Sequence, residues 1–137
     1  MRSTPFNPDA DMEPIPFNEE CLRAAREMKL HGLRWTPHVG CFVWDEKGVI
    51  QVSSPFPNRV YFILNMGHFM KIFGSVEGMQ EHLTWLPTWH QARILCGRLG
   101  VGAEEVRSVL DPSAAGEDPG GDLLALYGLI AEHLCRR

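Results

Sequence analysis

Arg59-Val60-Tyr61-Phe62-Ile63-Leu64-Asn65 is the stretch whose reading decides the fold. Five apolar or aromatic residues stand between Arg59 and Asn65 without a charge. A short run of this kind, rich in β-branched and aromatic side chains, reads as a strand buried on both faces. Such a strand is central in its sheet, with partners beside it and helices above or below it.

The sequence before this run supplies strand partners. Cys41-Phe42-Val43-Trp44 reads as a strand. It leads into Asp45-Glu46-Lys47-Gly48, a type I turn with glycine at the left-handed position, and Val49-Ile50-Gln51-Val52 returns as the second arm of a hairpin. Ser53 to Asn58 carries Pro55 and Pro57 and is a loop that cannot pair. Arg59–Leu64 can pair with either the first or the second hairpin strand, and the short connections favour adjacent pairing in an antiparallel meander. Further back, Asn18 is a good N-cap with Glu19 and Glu20 in the first turn of a helix running to Leu30 and stopping at Gly32.

Helices follow the central run. Asn65 caps a short helix over His68 to Phe73, closed by Gly74. Ser75 caps another, carried to Leu86 by Val76, Met79, Leu83 and Leu86 on one face, and Pro87 breaks it. Thr88-x-x-Gln91 matches a capping box and opens a helix to Leu99. Ala103 to Leu110 is a shorter helix, and the last one starts at Asp122 with Leu123, Tyr127, Ile130 and Leu134 as its stripe.

The expected organisation is an irregular lead-in over 1–17, an α+β core over 18–111, a flexible linker over 112–121 and an apolar C-terminal helix over 122–137. The fold class is α+β: a small three-stranded antiparallel sheet followed by several helices packing on one face. The last helix is apolar enough either to dock in the core or to supply a homodimer contact through Leu123, Leu126 or Leu129.

Composition excludes several functions. A net charge of −4 with no run of Lys or Arg argues against a nucleic-acid binder working by general electrostatics. No stretch approaches the roughly 18 apolar residues of a membrane helix. The first residues lack the basic start and apolar block of a secretory signal, so a cytoplasmic location is expected. Cys21, Cys41, Cys96 and Cys135 form no CxxC pair and read as reduced, buried hydrophobes.

Chemistry-bearing motifs are sparse. His38-x-x-Cys41 has a spacing compatible with two ligands of one ion, but the second pair of a structural zinc site is missing, so no metal and no cofactor are expected. Cys41 as a nucleophile would need His38 beside it, and residues three apart in a strand face opposite sides. Phosphate-loop, dinucleotide, nucleophile-elbow and zinc-protease motifs are all absent.

The most suggestive stretch is the proline corner around Pro87. Trp85 and Trp89 flank the turn, and His90 and Arg93 follow one helical turn apart. Flat aromatic surface with a titratable group and a cation is the composition of an anion or small-molecule site. Tryptophans beside a proline also plug joins between helices, which is the bland alternative. His68, just after the central run, is a candidate for the same space. Two functions follow from this reading. The favoured one is a small non-enzymatic binding or interaction module. The other is a small-substrate enzyme using His90 or His68 as general base and Arg93 as anion clamp.

Overall fold

Asn18 opens the first helix. Its side chain accepts the Cys21 amide at 2.9 Å, and α1 (Glu19–Leu30) runs from there to Gly32, whose φ of +91° turns the chain away. The computed structural model describes residues 9–12, 15–110 and 119–136. In chain order these form α1, β1 (Phe42–Trp44), β2 (Val60–Phe62), α2 (Met66–Phe73), α3 (Val76–His82), β3 (Thr84–Leu86), α4 (Trp89–Arg98), α5 (Ala103–Val109) and α6 (Pro119–Cys135). A single 3₁₀ turn, Pro57–Arg59, precedes β2. The class is α+β with a three-stranded antiparallel sheet, as the sequence implies.

The strand order is β2-β1-β3. Phe42 pairs with Phe62 on one side and Leu86 on the other, so β1 and not β2 is central. The run that the sequence places inside the sheet is an edge strand: Tyr61 and Phe62 are half-buried, and Leu64 is 74% exposed. The expected return arm Val49–Val52 is not a strand. The reason is local competition: the Asp45 carboxylate accepts the Val49 amide at 3.0 Å and the Ile50 amide at 2.8 Å. Donors committed to a side chain are lost to a ladder.

The third strand comes instead from Thr84–Leu86, which the apolar spacing assigns to a helix end. Leu83 and Leu86 are both buried, but in different clusters on opposite sides of the sheet. A strand sends alternate residues to opposite faces, which a continuous helical stripe cannot do.

The sheet therefore divides two cores. Phe42, Trp44, Val60 and Leu86 face α1, α4, α5 and α6. On that side Phe42 contacts the rings of Phe17, Phe56 and Phe62, with centroids 5.3, 5.7 and 4.8 Å away. Val43, Tyr61 and Trp85 face the other way, toward Phe69 of α2 and Met79 of α3. The helices thus cover both faces, with α2 and α3 alone on the second.

Helix α6 belongs to the first core. Leu123, Leu126, Tyr127, Leu129 and Ile130 are buried there against α1 and α4. Burial of each such side chain contributes about 1.5–3 kcal/mol. Leu123, Leu126 and Leu129, the leucines named for a homodimer contact, all lie in this core. Of the expected linker, 112–118 lie outside the described residues, and 119–121 form the first turn of α6. Most of the lead-in is also outside them, but Ile15 and Phe17 are buried in the same core as α6. No described helix is long and apolar enough to cross a membrane.

Candidate ligand-binding site

The connection between β1 and β2 is a closed loop over residues 45–59. Its neck is the Asp45 amide donating to the Arg59 carbonyl at 3.0 Å. The Asp45-Glu46-Lys47-Gly48 turn closes as expected, with the Gly48 amide 3.2 Å from the Asp45 carbonyl and Gly48 at φ +71°. Asp45 itself is fully buried, and its carboxylate organises the next two amides from inside. At the far end, the Ser54 hydroxyl donates to the Val60 carbonyl and accepts the Phe56 amide. Compact loops closed on themselves in this way are frequent carriers of function.

Backbone geometry at the exit of the loop is unusual. Asn58 and Arg59 sit at φ +61° and +62°, the left-handed region. Asparagine tolerates it; arginine has no side-chain compensation, and the conformation costs about 1 kcal/mol or more. Its consequence is to turn the Arg59 side chain back across the loop. A Cβ placed on Gly48 would lie 2.7 Å from Arg59 Nη1, so the guanidinium rests directly over that glycine.

Three cavities surround the loop, and Arg59 lines two of them. The first, about 380 Å³, is polar, with Gln51, Ser53, Ser54, Arg59 and Tyr61 around Gly48. The second, about 460 Å³, lies toward α1 and holds Arg23, Arg26, Trp44 and Arg59 with Glu19 and Glu46. There the charges are largely matched: Arg26 pairs with Glu46 and stands 6.0 Å over the Trp44 ring, and Arg23 is 3.8 Å from Glu19. The third, about 330 Å³, is apolar in its walls, with Val52, Phe62, Leu64 and Phe69 beside Asn65 and His68. These volumes are at the lower end of the roughly 300–1,000 Å³ of small-molecule sites.

The electrostatics of the first cavity centre on Arg59. Among the described residues no group is hydrogen-bonded or ion-paired to its guanidinium. Tyr61 donates its hydroxyl to the Val52 carbonyl at 2.5 Å. Burial pushes the Tyr61 phenol up, the Asp45 charge adds to this, and the Arg59 charge opposes it. The Asp45 carboxylate does not line the cavity; it is buried on its two amide partners. An unpaired guanidinium is equipped to hold an anion.

The residues picked out by sequence do not come together here. Trp85 is half-buried on the α3 side of the sheet, stacked on Trp35 with centroids 6.2 Å apart and planes 9° apart. Its indole Nε1 is buried without a partner among the described residues. Trp89, 42% exposed, and the exposed His90 and Arg93 stand on α4, which packs on the opposite face through Ala92 and Cys96. The strand β3 separates the two halves of the proline corner. Of the five, His68 alone lines one of the three cavities; it is exposed and meets the Phe69 ring edge-on at 6.0 Å.

Arg59, Tyr61, Ser53 and Ser54 were not candidates by sequence. The signal available was a single arginine between a two-proline loop and an apolar run, preceded by an asparagine suited to left-handed backbone.

The His38 and Cys41 pair stays apart in chemistry too. His38 Nδ1 is 2.8 Å from the Val39 carbonyl oxygen, and burial pushes the Cys41 thiol up, with only a lesser lowering from the His38 backbone. That is the setting of an inert thiol. Among the described residues no three His, Cys, Asp or Glu side chains are grouped to hold a metal ion.

A comparison of the chain with protein-family models, with curated proteins and with solved structures finds no match.

Proposed function

We propose that this domain is a binding module for a small anionic ligand, held in the cavity between loop 45–59 and the edge strand β2. The observation that carries this reading is Arg59: a guanidinium turned over Gly48 by strained backbone, lining the polar cavity and unpaired among the described residues. Strain of this kind persists where the surrounding structure enforces it, and it clusters at ligand sites. Ser53 and Gln51 supply further hydrogen-bonding groups to the same space.

A non-catalytic role is supported by what the cavity offers. Its titratable hydroxyl, Tyr61, is shifted upward and already spends its proton on Val52. General acid–base work needs a group poised near the operating pH and within hydrogen-bond reach of the substrate. The enzyme reading needs His90, Arg93 and His68 in one cleft, and neither His90 nor Arg93 lines the His68 cavity. The domain is complete as a single chain in this reading, because the leucines of α6 that a homodimer would use are spent in the core.

The experiment is an amide and guanidinium NMR titration of the full chain with sodium acetate at constant ionic strength. The Gly48, Ser53 and Tyr61 amides and the Arg59 Nε–H are expected to shift together and to saturate. Arg59→Gln is expected to abolish the response. Shifts no larger than those with matched sodium chloride would overturn the proposal.

A further inference from the structure

The polar cavity and the apolar one share a wall, because Ile50, Val52, Ser53 and Tyr61 line both. Among the described residues, Val52 and Leu64 are 58% and 74% exposed, and both stand in the apolar half. Exposed aliphatic side chains beside a cavity offer apolar surface to a ligand that enters it.

From this adjacency we infer that the ligand is a linear amphipathic monocarboxylate, with its head on Arg59 and its chain across the shared wall along Val52, Leu64 and Phe69. The inference rests on the anion-binding reading above and narrows it. A purely polar anion leaves Val52 and Leu64 in water. An uncharged chain leaves the guanidinium without a partner. Charge complementarity fixes the head group as well. Among the described residues Arg59 is the one cation lining the polar cavity, which matches one negative charge and not two. The planar guanidinium fork fits a carboxylate through two parallel hydrogen bonds. The Ser53 hydroxyl stands in the same cavity, where the outer lone pairs of such a head would lie. His68 stands in the apolar cavity, beyond the polar end.

The test measures acetate, butanoate, hexanoate and octanoate on the full chain by the same titration, with 1-octanol as the uncharged probe. Each methylene that leaves water adds about fourfold to the affinity. Burial of three or more of the six extra methylenes therefore makes octanoate about 50-fold tighter than acetate, or more. Octanol is expected to bind far more weakly than octanoate. Arg59→Gln is expected to bring octanoate down to the level of octanol. Leu64→Ser, at an exposed position, is expected to lower the octanoate-to-acetate ratio, and Arg98→Gln on α4 serves as the folded control with native binding.

The outcomes separate the two readings. Acetate binding with an octanoate ratio below about threefold overturns the amphipathic ligand and leaves the anion site standing. Failure of both ligands overturns the anion site, and the amphipathic ligand with it. Tight octanoate binding that Arg59→Gln leaves unchanged overturns the placement of the head group.

Discussion

Gly48 and Arg59 are packed so closely that a methyl group on residue 48 would stand 2.7 Å from Arg59 Nη1. The glycine is needed twice: its φ of +71° suits the turn after β1, and its missing side chain leaves room for the guanidinium. Gly48→Ala is expected to cost about 1 kcal/mol through backbone strain. It is also expected to swing the arginine head aside and weaken anion binding severalfold. Denaturant titration and acetate titration of the same variant check the two effects separately. Unchanged binding would mean that the guanidinium is not held where its contact with Gly48 puts it.

Arg59 itself sits at φ +62°, where glycine is at ease and arginine is not. Arg59→Gly is therefore expected to be no less stable than the natural chain, although it removes the whole side chain. Arg59→Gln keeps the strain and is expected to change stability by less than about 0.5 kcal/mol. Both are expected to lose the anion. Stability bought by losing a ligand group is the mark of a strained site. A clear loss of stability in Arg59→Gly would show instead that the side chain holds the loop together.

Asp45 is the opposite case, a buried charge with a structural task. Its two oxygens take the Val49 and Ile50 amides. Asp45→Asn keeps one acceptor and turns the other into a donor facing a donor, at a cost of about 1–3 kcal/mol. Hydrogen exchange at the Val49 and Ile50 amides is expected to rise in this variant before the rest of the fold responds. Exchange that rises uniformly would place Asp45 in the global core and not in the loop.

The same carboxylate explains where the sequence could be read and where it could not. Helix starts were legible at Asn18, Asn65, Ser75 and the Thr88–Gln91 box because each cap is a bond between neighbours in sequence. Strand partners were not, because they depend on which donors remain. Val49–Val52 alternates well enough to be a strand, yet Asp45 takes its first two amides. Leu83 and Leu86 fit a helical stripe equally well, and only the sheet shows that they go to opposite sides. The cavity needed still more: it exists once the loop closes between Asp45 and Arg59, and no spacing of residues announces that closure. His68 lines the apolar cavity because it follows the edge strand directly; Trp85, Trp89, His90 and Arg93 were grouped by a proximity in sequence that β3 divides.

Tyr127 makes stability depend on alkaline pH. It is fully buried, donates its hydroxyl to the Pro87 carbonyl, and burial pushes its phenol well above the usual range. The neutral form is the one the fold holds, so the folded chain keeps this proton longer than the unfolded chain. The stabilisation is complete below the ordinary tyrosine value near 10 and is lost as pH rises above it, by up to about 1.4 kcal/mol per pH unit. The upward shifts of Tyr61, Cys41 and Cys96 act in the same direction. Tyr127→Phe is expected to be less stable at neutral pH by about 1 kcal/mol and to show a shallower decline above pH 10. Parallel curves for the two proteins would exclude Tyr127 as the source.

Removal of residues 119–137 tests whether α6 is an appendage or a wall of the core. Leu123, Leu126, Tyr127, Leu129 and Ile130 are buried with Cys21, Leu22, Ala25 and Met28 of α1 and with Ala92 and Cys96 of α4. Truncation uncovers those faces and deprives the Pro87 carbonyl of its donor. Five large side chains at about 1.5–3 kcal/mol each come to roughly the whole stability of a domain this size. The truncated chain is therefore expected to show no cooperative unfolding transition and to associate through the exposed apolar surface. The intact chain is expected to sediment as a monomer at concentrations where the anion titrations are run. Leu126→Ala gives the graded version, with a loss of about 2–5 kcal/mol and no change in sedimentation. A truncated chain that folds and stays monomeric would show that α6 is dispensable to the core. A native chain whose dimer dissociates on Leu126→Ala would return that stripe to an interface.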